Sequence, residues 1–212
     1  MVGQGVLREC LESTLVESVL VVNRRPLGIQ HEKLREIIHE DFCDFSSLVP
    51  VFAQYNTCFF CLGISAVGLS EKDYHKITYD LTLKAAGTLL KTHRDYTFCY
   101  VSGAGTDSSE RSRMMWARVK GKTENAVLSM PFKQAYVFRP GYIQPLKGIK
   151  SRTKAYNFFY AVFKPFYFIL KAFKGIVTDT SSVGKAMIRI AQQGYHRKVI
   201  DIADINQLAR GK

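Results

Sequence analysis

Acidic residues are scarce where basic ones are plentiful. Residues 1–130 hold 15 Lys and Arg against 15 Asp and Glu, whereas residues 131–212 hold 15 against 3, so the whole excess of +12 lies in the second part. That asymmetry suits an anionic partner, either a phosphorylated cofactor or an acidic membrane surface, with a solvated basic face as the alternative. Nucleic acid is not expected. Cysteine is sparse and odd in number: Cys10, Cys43, Cys58, Cys61 and Cys99 show no disulfide-like spacing, which excludes a disulfide scaffold and suits a reducing compartment. The pair Cys58-Phe59-Phe60-Cys61 has no second pair to complete a zinc site, and no helix starts directly at it as thiol redox chemistry prefers. His75 and His93 lack further ligands at metal spacing, so no metal is expected. No secretory or transit segment is recognisable, and a cytoplasmic location is expected.

Long apolar runs are also missing. The richest aromatic segment, residues 156–174, is broken by Lys164 and Pro165 and is too short to span a bilayer comfortably. It fits a lid over a hydrophobic substrate, an interfacial helix on an anionic membrane, or a homodimer contact. Tryptophan occurs once, as Trp116.

What is present is enough for one core. With 212 residues and 47% hydrophobic content, a single domain over 1–212 is expected, with a small cap at 142–175. The organising stretch is 98–127. Phe98-Cys99-Tyr100-Val101 reads as a buried strand that stops at Ser102-Gly103-Ala104-Gly105, and small residues there leave room for a ligand over the strand's carboxyl end. A polar loop follows, then a helix from about Met114 carrying Lys120. Upstream, the pattern predicts a helix over 1–11 with Val2, Val6, Cys10 and Leu15 inward, and a buried strand over 18–22. A strand or irregular link falls at 33–38, a helix at 45–55 despite Pro50, and a buried strand at 57–62 ending at Gly63. A long helix at 71–93 has Tyr74, Ile77, Leu81 and Leu89 inward. Downstream come a strand at 135–141, a helix at 181–193 with Val183, Met187, Ile190 and Ala191 inward, a closing strand at 199–202 and a helical tail at 204–209.

Ser102 at a strand tip with Lys120 on the next helix resembles the short-chain dehydrogenases/reductases, and Phe138-Arg139-Pro140-Gly141 resembles their atypical and extended, epimerase-like members. The resemblance implies an α/β doubly wound, parallel-sheet Rossmann-like three-layer sandwich. It implies NADP(H) or NAD(H) as cofactor, and an oxidoreductase or epimerase-like activity on a hydrophobic carbonyl or hydroxyl substrate. It places Ser102 beside the substrate and Lys120 on the nicotinamide ribose. Where it asks for a tyrosine, this chain has Trp116, whose indole N–H donates only and does not titrate in the relevant range. A non-catalytic NADP(H)-binding sensor or scaffold is therefore the alternative. Two further Tyr-x-x-x-Lys matches, Tyr160 to Lys164 and Tyr167 to Lys171, follow no serine-bearing strand.

In the family's Gly-x-x-Gly-x-x-Gly pattern, Gly3 falls on the third glycine, where helix and strand pack closely. The resemblance then implies an N-terminal truncation, with a central strand and two glycines lying before Met1 and two neighbouring strands left with open edges. The rival reading is that Gly3 and Gly5 merely begin a helix. Arg24 and Arg25 follow Asn23 where an NAD site would present an acid, and their guanidinium groups suit a 2′-phosphate, favouring NADP(H). Asp41 and Phe42 match the adenine contact, Gly63 the close passage under the ribose and nicotinamide, and Pro140 the wall of the nicotinamide pocket.

Overall fold

A computed structural model describes residues 1–146 and 177–211. Helix α1 (Val2–Glu12) leads into β1 (Val19–Asn23) and β2 (Leu34–Ile38); a short 3-10 turn (Ser46–Leu48) and one helical turn, α2 (Val49–Phe52), precede β3 (Thr57–Phe60). One continuous helical stretch follows: α3 (Glu71–His75), a π-turn (Lys76–Asp80) and α4 (Leu81–Leu90). Then come β4 (Thr97–Val101), α5 (Met115–Ser129), β5 (Gln134–Phe138) and β6 (Tyr142–Gln144). Beyond the gap lie β7 (Val177–Asp179), α6 (Thr180–Gln193), β8 (Val199–Ile200) and α7 (Ile202–Ala209).

All the strand pairings are parallel: β1 with β2, the order β3-β4-β5-β8, and β6 with β7. Alternation along the strands splits the core into two layers. Cys99, Tyr136, Phe138 and Ile200 face α1, α6 and α7 through Val6, Val183, Met187, Ile190 and Ile205. Phe98, Tyr100, Ala135 and Val137 face α4 and α5 through Ala86, Leu89 and Val127. The result is the expected α/β parallel-sheet sandwich with helices on both faces.

Strands β1 and β3 are both edges and no hydrogen bond joins them, yet they share both layers. Val19 and Phe59 pack against one cluster, and Val22 and Phe60 against another built on Phe45, Leu48 and Ala85. Every residue of these two strands is half-buried, in contrast to β4. The buried character predicted for both is corrected: among the described residues each has a hydrogen-bonded partner on one side alone.

Several boundaries also differ. Helix α1 stops at Glu12, so Leu15 is 59% exposed instead of inward. Residues 45–55 form two short turns because Pro50 sits in the first turn of α2 and cannot continue an earlier helix. The predicted long helix is interrupted by the π-turn and ends at Leu90, leaving Ile77 and Leu81 half-buried. The closing strand ends at Ile200, because Asp201 and Asp204 form a capping box that starts α7 at Ile202. In α6, Ala186 is buried where Ala191 was expected. The aromatic segment 156–174 and the Tyr160 and Tyr167 pairs lie outside the described residues, as does most of the predicted cap; its first residues, Tyr142–Gln144, belong to β6.

Candidate functional site

The backbone pairing of β4 with β5 continues past both strands. Ser102 N donates to Phe138 O (2.8 Å) and Ala104 N to Pro140 O (2.9 Å), so the small-residue loop leaves the sheet alongside the Arg139-Pro140 turn. Ser102, two residues beyond the buried Tyr100, continues the face that looks toward α5. Its hydroxyl lies 3.1 Å from Thr106 Oγ1, which in turn donates to Gly103 O at 2.8 Å. Gly105 has φ +84°, and a Cβ there would stand 3.1 Å from the Trp116 ring. The indole therefore lies against the loop that Ser102 opens.

That loop is nailed to α5. The Asp107 carboxylate accepts from Ser109 N (2.9 Å), Ser109 Oγ (2.7 Å), Arg111 N (2.8 Å) and Ser112 N (2.6 Å). The Ser109 hydroxyl and the backbone donors pull its pKa down to about 2. Asp107 N donates to Ala117 O (3.2 Å), and Gly121 lets the helix backbone touch the Asp107 carbonyl.

One turn beyond Trp116, Lys120 places Nζ over the Tyr100 ring, 5.5 Å from its centroid. Burial pulls its pKa down to about 8, against a smaller opposite pull from Glu124. Glu124 is 1% exposed, and Arg139 holds it: Nε lies 3.0 and 3.2 Å from the two carboxylate oxygens and Nη2 closes the fork. Arg139 also reaches Ser108 Oγ at 2.5 Å. The buried Tyr100 phenol is pushed well up and stays neutral. Ser102, Trp116 and Lys120, the three predicted catalytic positions, are thus gathered around the carboxyl end of β4, through the 102–106 loop and Tyr100.

The predicted cofactor residues form a second group. Gly3 lets α1 approach the start of the chain after β3, since a Cβ there would be 3.3 Å from that of Cys61. The turn after β1 is built on Glu36, which accepts from Asn23 Nδ2 and Leu27 N, each at 3.0 Å. Arg24 and Arg25 are exposed, and the Arg24 guanidinium stands 5.8 Å from the Phe42 ring centroid. Phe42 is held edge-on by Phe45, and Asp41 turns its carboxylate to Cys43 N (2.7 Å). Gly63 is exposed, and among the described residues no atom lies within 4 Å of a would-be Cβ. Pro140 is buried. A cavity of about 300 Å³ lies elsewhere, lined by Cys43, Lys76, Tyr79, Asp80, Leu81, Leu83 and Lys84, none of them a predicted site residue.

Sequence reasoning missed Asp107, Gly121, Glu124 and Arg139 as a unit. A signal existed in part: Asp107-x-Ser109 is a side-chain-to-backbone turn motif. Burial pushes the thiols of Cys58 and Cys61 up to about 12, away from the reactive thiolate form. All five cysteines are free, and among the described residues no cluster of His, Cys, Asp and Glu could hold a metal.

No family model matches the chain. It is 29% identical over 143 residues to Protein HTATIP2 of Rattus norvegicus, covering 66% of this chain and 58% of that protein. It is 30% identical over 159 residues to Protein FMP52, mitochondrial, of Saccharomyces cerevisiae, covering 74% of this chain and 66% of that protein. The chain therefore spans between 58% and 66% of the length of these two relatives. Among solved structures, it superposes on the Bordetella bronchiseptica enzyme WbmF in complex with NAD+ with a TM-score of 0.63 at 15% identity, covering 99% of this chain and 74% of that one. For a UDP-N-acetylglucosamine 4-epimerase from Methanobrevibacter ruminantium the TM-score is 0.64 at 15% identity, with 99% and 77% covered. For an oxidoreductase of the short-chain dehydrogenase/reductase family from Burkholderia thailandensis it is 0.61 at 12% identity, with 96% and 88% covered.

The parallel sheet, the paired helical layers and these superpositions define the class: the chain has the fold of the short-chain dehydrogenases/reductases and nucleotide-sugar epimerases. Within that class it resembles the atypical and extended, epimerase-like members, as the Ser102, Lys120 and 138–141 motifs imply.

Proposed function

We propose that the chain binds a nicotinamide dinucleotide across the carboxyl ends of β1, β3 and β4. Arg24, Arg25, Asp41 and Phe42 take the adenosine end, Gly3 and Gly63 allow close approach, and Lys120, Ser102 and Pro140 surround the nicotinamide end. The observation that carries this reading is the convergence of Ser102, Trp116 and Lys120 on one strand tip, through Thr106, Gly105 and Tyr100. Exposed guanidinium groups at Arg24 and Arg25, one of them stacked on Phe42, favour the 2′-phosphate of NADP(H) over NAD(H). The activity is reduction or epimerisation of a hydrophobic carbonyl or hydroxyl compound, with Lys120 on the nicotinamide ribose, Ser102 on the substrate oxygen and the dinucleotide supplying the hydride.

A second reading is favoured by Trp116. The indole sits on Gly105 where the resemblance has a titrating phenol, so the chain can hold NADP(H) without transferring hydride. Both readings predict binding; they part at turnover. Calorimetric titration with NADPH and NADH tests the shared claim, and absence of binding of either overturns it. Hydride transfer by the wild type to a panel of hydrophobic aldehydes and ketones supports the enzyme; transfer gained only in Trp116→Tyr supports the binding protein. No described helix is long and apolar enough to cross a membrane.

A further inference from the structure

Lys120 is an amine without an acid. Its ammonium rests on the face of Tyr100, and among the described residues it makes no hydrogen bond and no ion pair. The one carboxylate within reach on its own helix, Glu124, is spent on Arg139. Among the described residues, the phenol under it, Tyr100 on β4, and Tyr74 on α3, which acts on Tyr100, are 1% and 2% exposed and are both pushed up by burial, so neither supplies a counter-charge. Lys120 itself is only half-buried and lies one turn from Trp116, whose ring rests against the loop at Gly105.

We infer that Lys120 is a nucleophile that captures aldehydes and ketones reversibly as an imine. The nitrogen lone pair attacks the carbonyl carbon, the C=O pair moves to oxygen and takes a proton, and the carbinolamine loses water to leave C=N. Hydrolysis reverses each step and restores the amine. Electron bookkeeping is neutral, since no group is oxidised or reduced. With the amine pKa near 8, about a quarter of Lys120 is free base at pH 7.5, against roughly 0.1% of an ordinary lysine. The inference rests on the proposed site only in taking the loop beside Trp116 as the way in for the carbonyl compound.

The test uses the wild-type chain, benzaldehyde and cyanoborohydride, which fixes each imine as a benzyl amine, read by peptide mass spectrometry at pH 7.5. Lys84 and Lys91, both exposed on or beside α4, serve as ordinary lysines. Lys120 is expected to label at least tenfold faster than either, with the ratio falling toward one above pH 10, and Lys120→Arg should lose the fast site. Labelling of Lys120 no faster than Lys84 and Lys91 overturns the inference. Repeating the reaction with saturating NADPH separates the two claims. Fast labelling that NADPH fails to slow sinks the cofactor placement and keeps the nucleophile. NADPH binding with slow labelling does the reverse.

Discussion

Gly121 and Asp107 are in backbone contact: a β-carbon at position 121 would occupy the space of the Asp107 carbonyl. Nothing flexible intervenes, because the obstructing atoms belong to the main chain of a loop fixed by four hydrogen bonds to one carboxylate. Gly121→Ala should therefore force α5 away from the loop, costing about 3 kcal/mol by analogy with overpacked cores. Chemical denaturation would show it, and a loss below about 1 kcal/mol would mean that the loop yields. The same change should weaken NADPH binding, since it moves Trp116 and Lys120 relative to Ser102.

The Glu124–Arg139 pair makes a different demand. With Glu124 1% exposed and Arg139 reaching over from the end of β5, each charge is held in place by the other. Arg139→Met leaves a carboxylate buried without a partner, which typically costs about 3–5 kcal/mol. Glu124→Gln combined with Arg139→Met should recover much of that loss, because two neutral side chains need no mutual compensation. Stability curves for the single and double variants form the cycle; additive losses would mean that the pair is not coupled.

Much of the fold was legible because its signals are local. The apolar runs of β1, β3, β4 and β5 and the spacing of Val183, Met187 and Ile190 read directly as strands and helix. The positions of Ser102 and Lys120 followed from element order alone. Illegible were the features that depend on what lies across space. The π-turn at 76–80 leaves no mark in an otherwise helical pattern. Nothing local distinguishes Gly5 and Gly184, yet a Cβ on the first would overlap Thr180 and one on the second would press on Glu9, so they set the close crossing of α1 and α6. Glu124 and Arg139 are 15 residues apart on a helix and a strand end, and only the crossover brings them together.

Arg24 offers a test of cofactor preference. Its guanidinium is exposed and, among the described residues, is steadied by the Phe42 ring alone, so its removal should not disturb the fold. Arg24→Ala should weaken NADPH binding about tenfold, the loss of one charge-assisted contact, and leave NADH binding within about twofold. Equal weakening of both cofactors would show that Arg24 does not read the 2′-phosphate. Phe42→Ala should produce part of the same effect, because the guanidinium loses the surface that orients it.

The low pKa of Lys120 fixes the sign of a pH effect on stability. Folding lowers this group from the model-peptide value of 10.5 to about 8, so between those values the unfolded chain binds more protons than the folded one. Stability should therefore rise with pH across that window, and below pH 8 the folded state carries the whole cost of a buried ammonium. A shift of this size corresponds to about 3 kcal/mol at most, lessened by the water that reaches a half-buried side chain. Lys120→Met should accordingly be more stable than the wild type at pH 7, with the advantage fading toward pH 10. Urea denaturation of both proteins from pH 7 to 10 measures that difference directly and cancels the other titrating groups. A variant that is less stable at pH 7 would show that the ammonium on Tyr100 is a net stabilising contact and that the amine is not driven toward its neutral form.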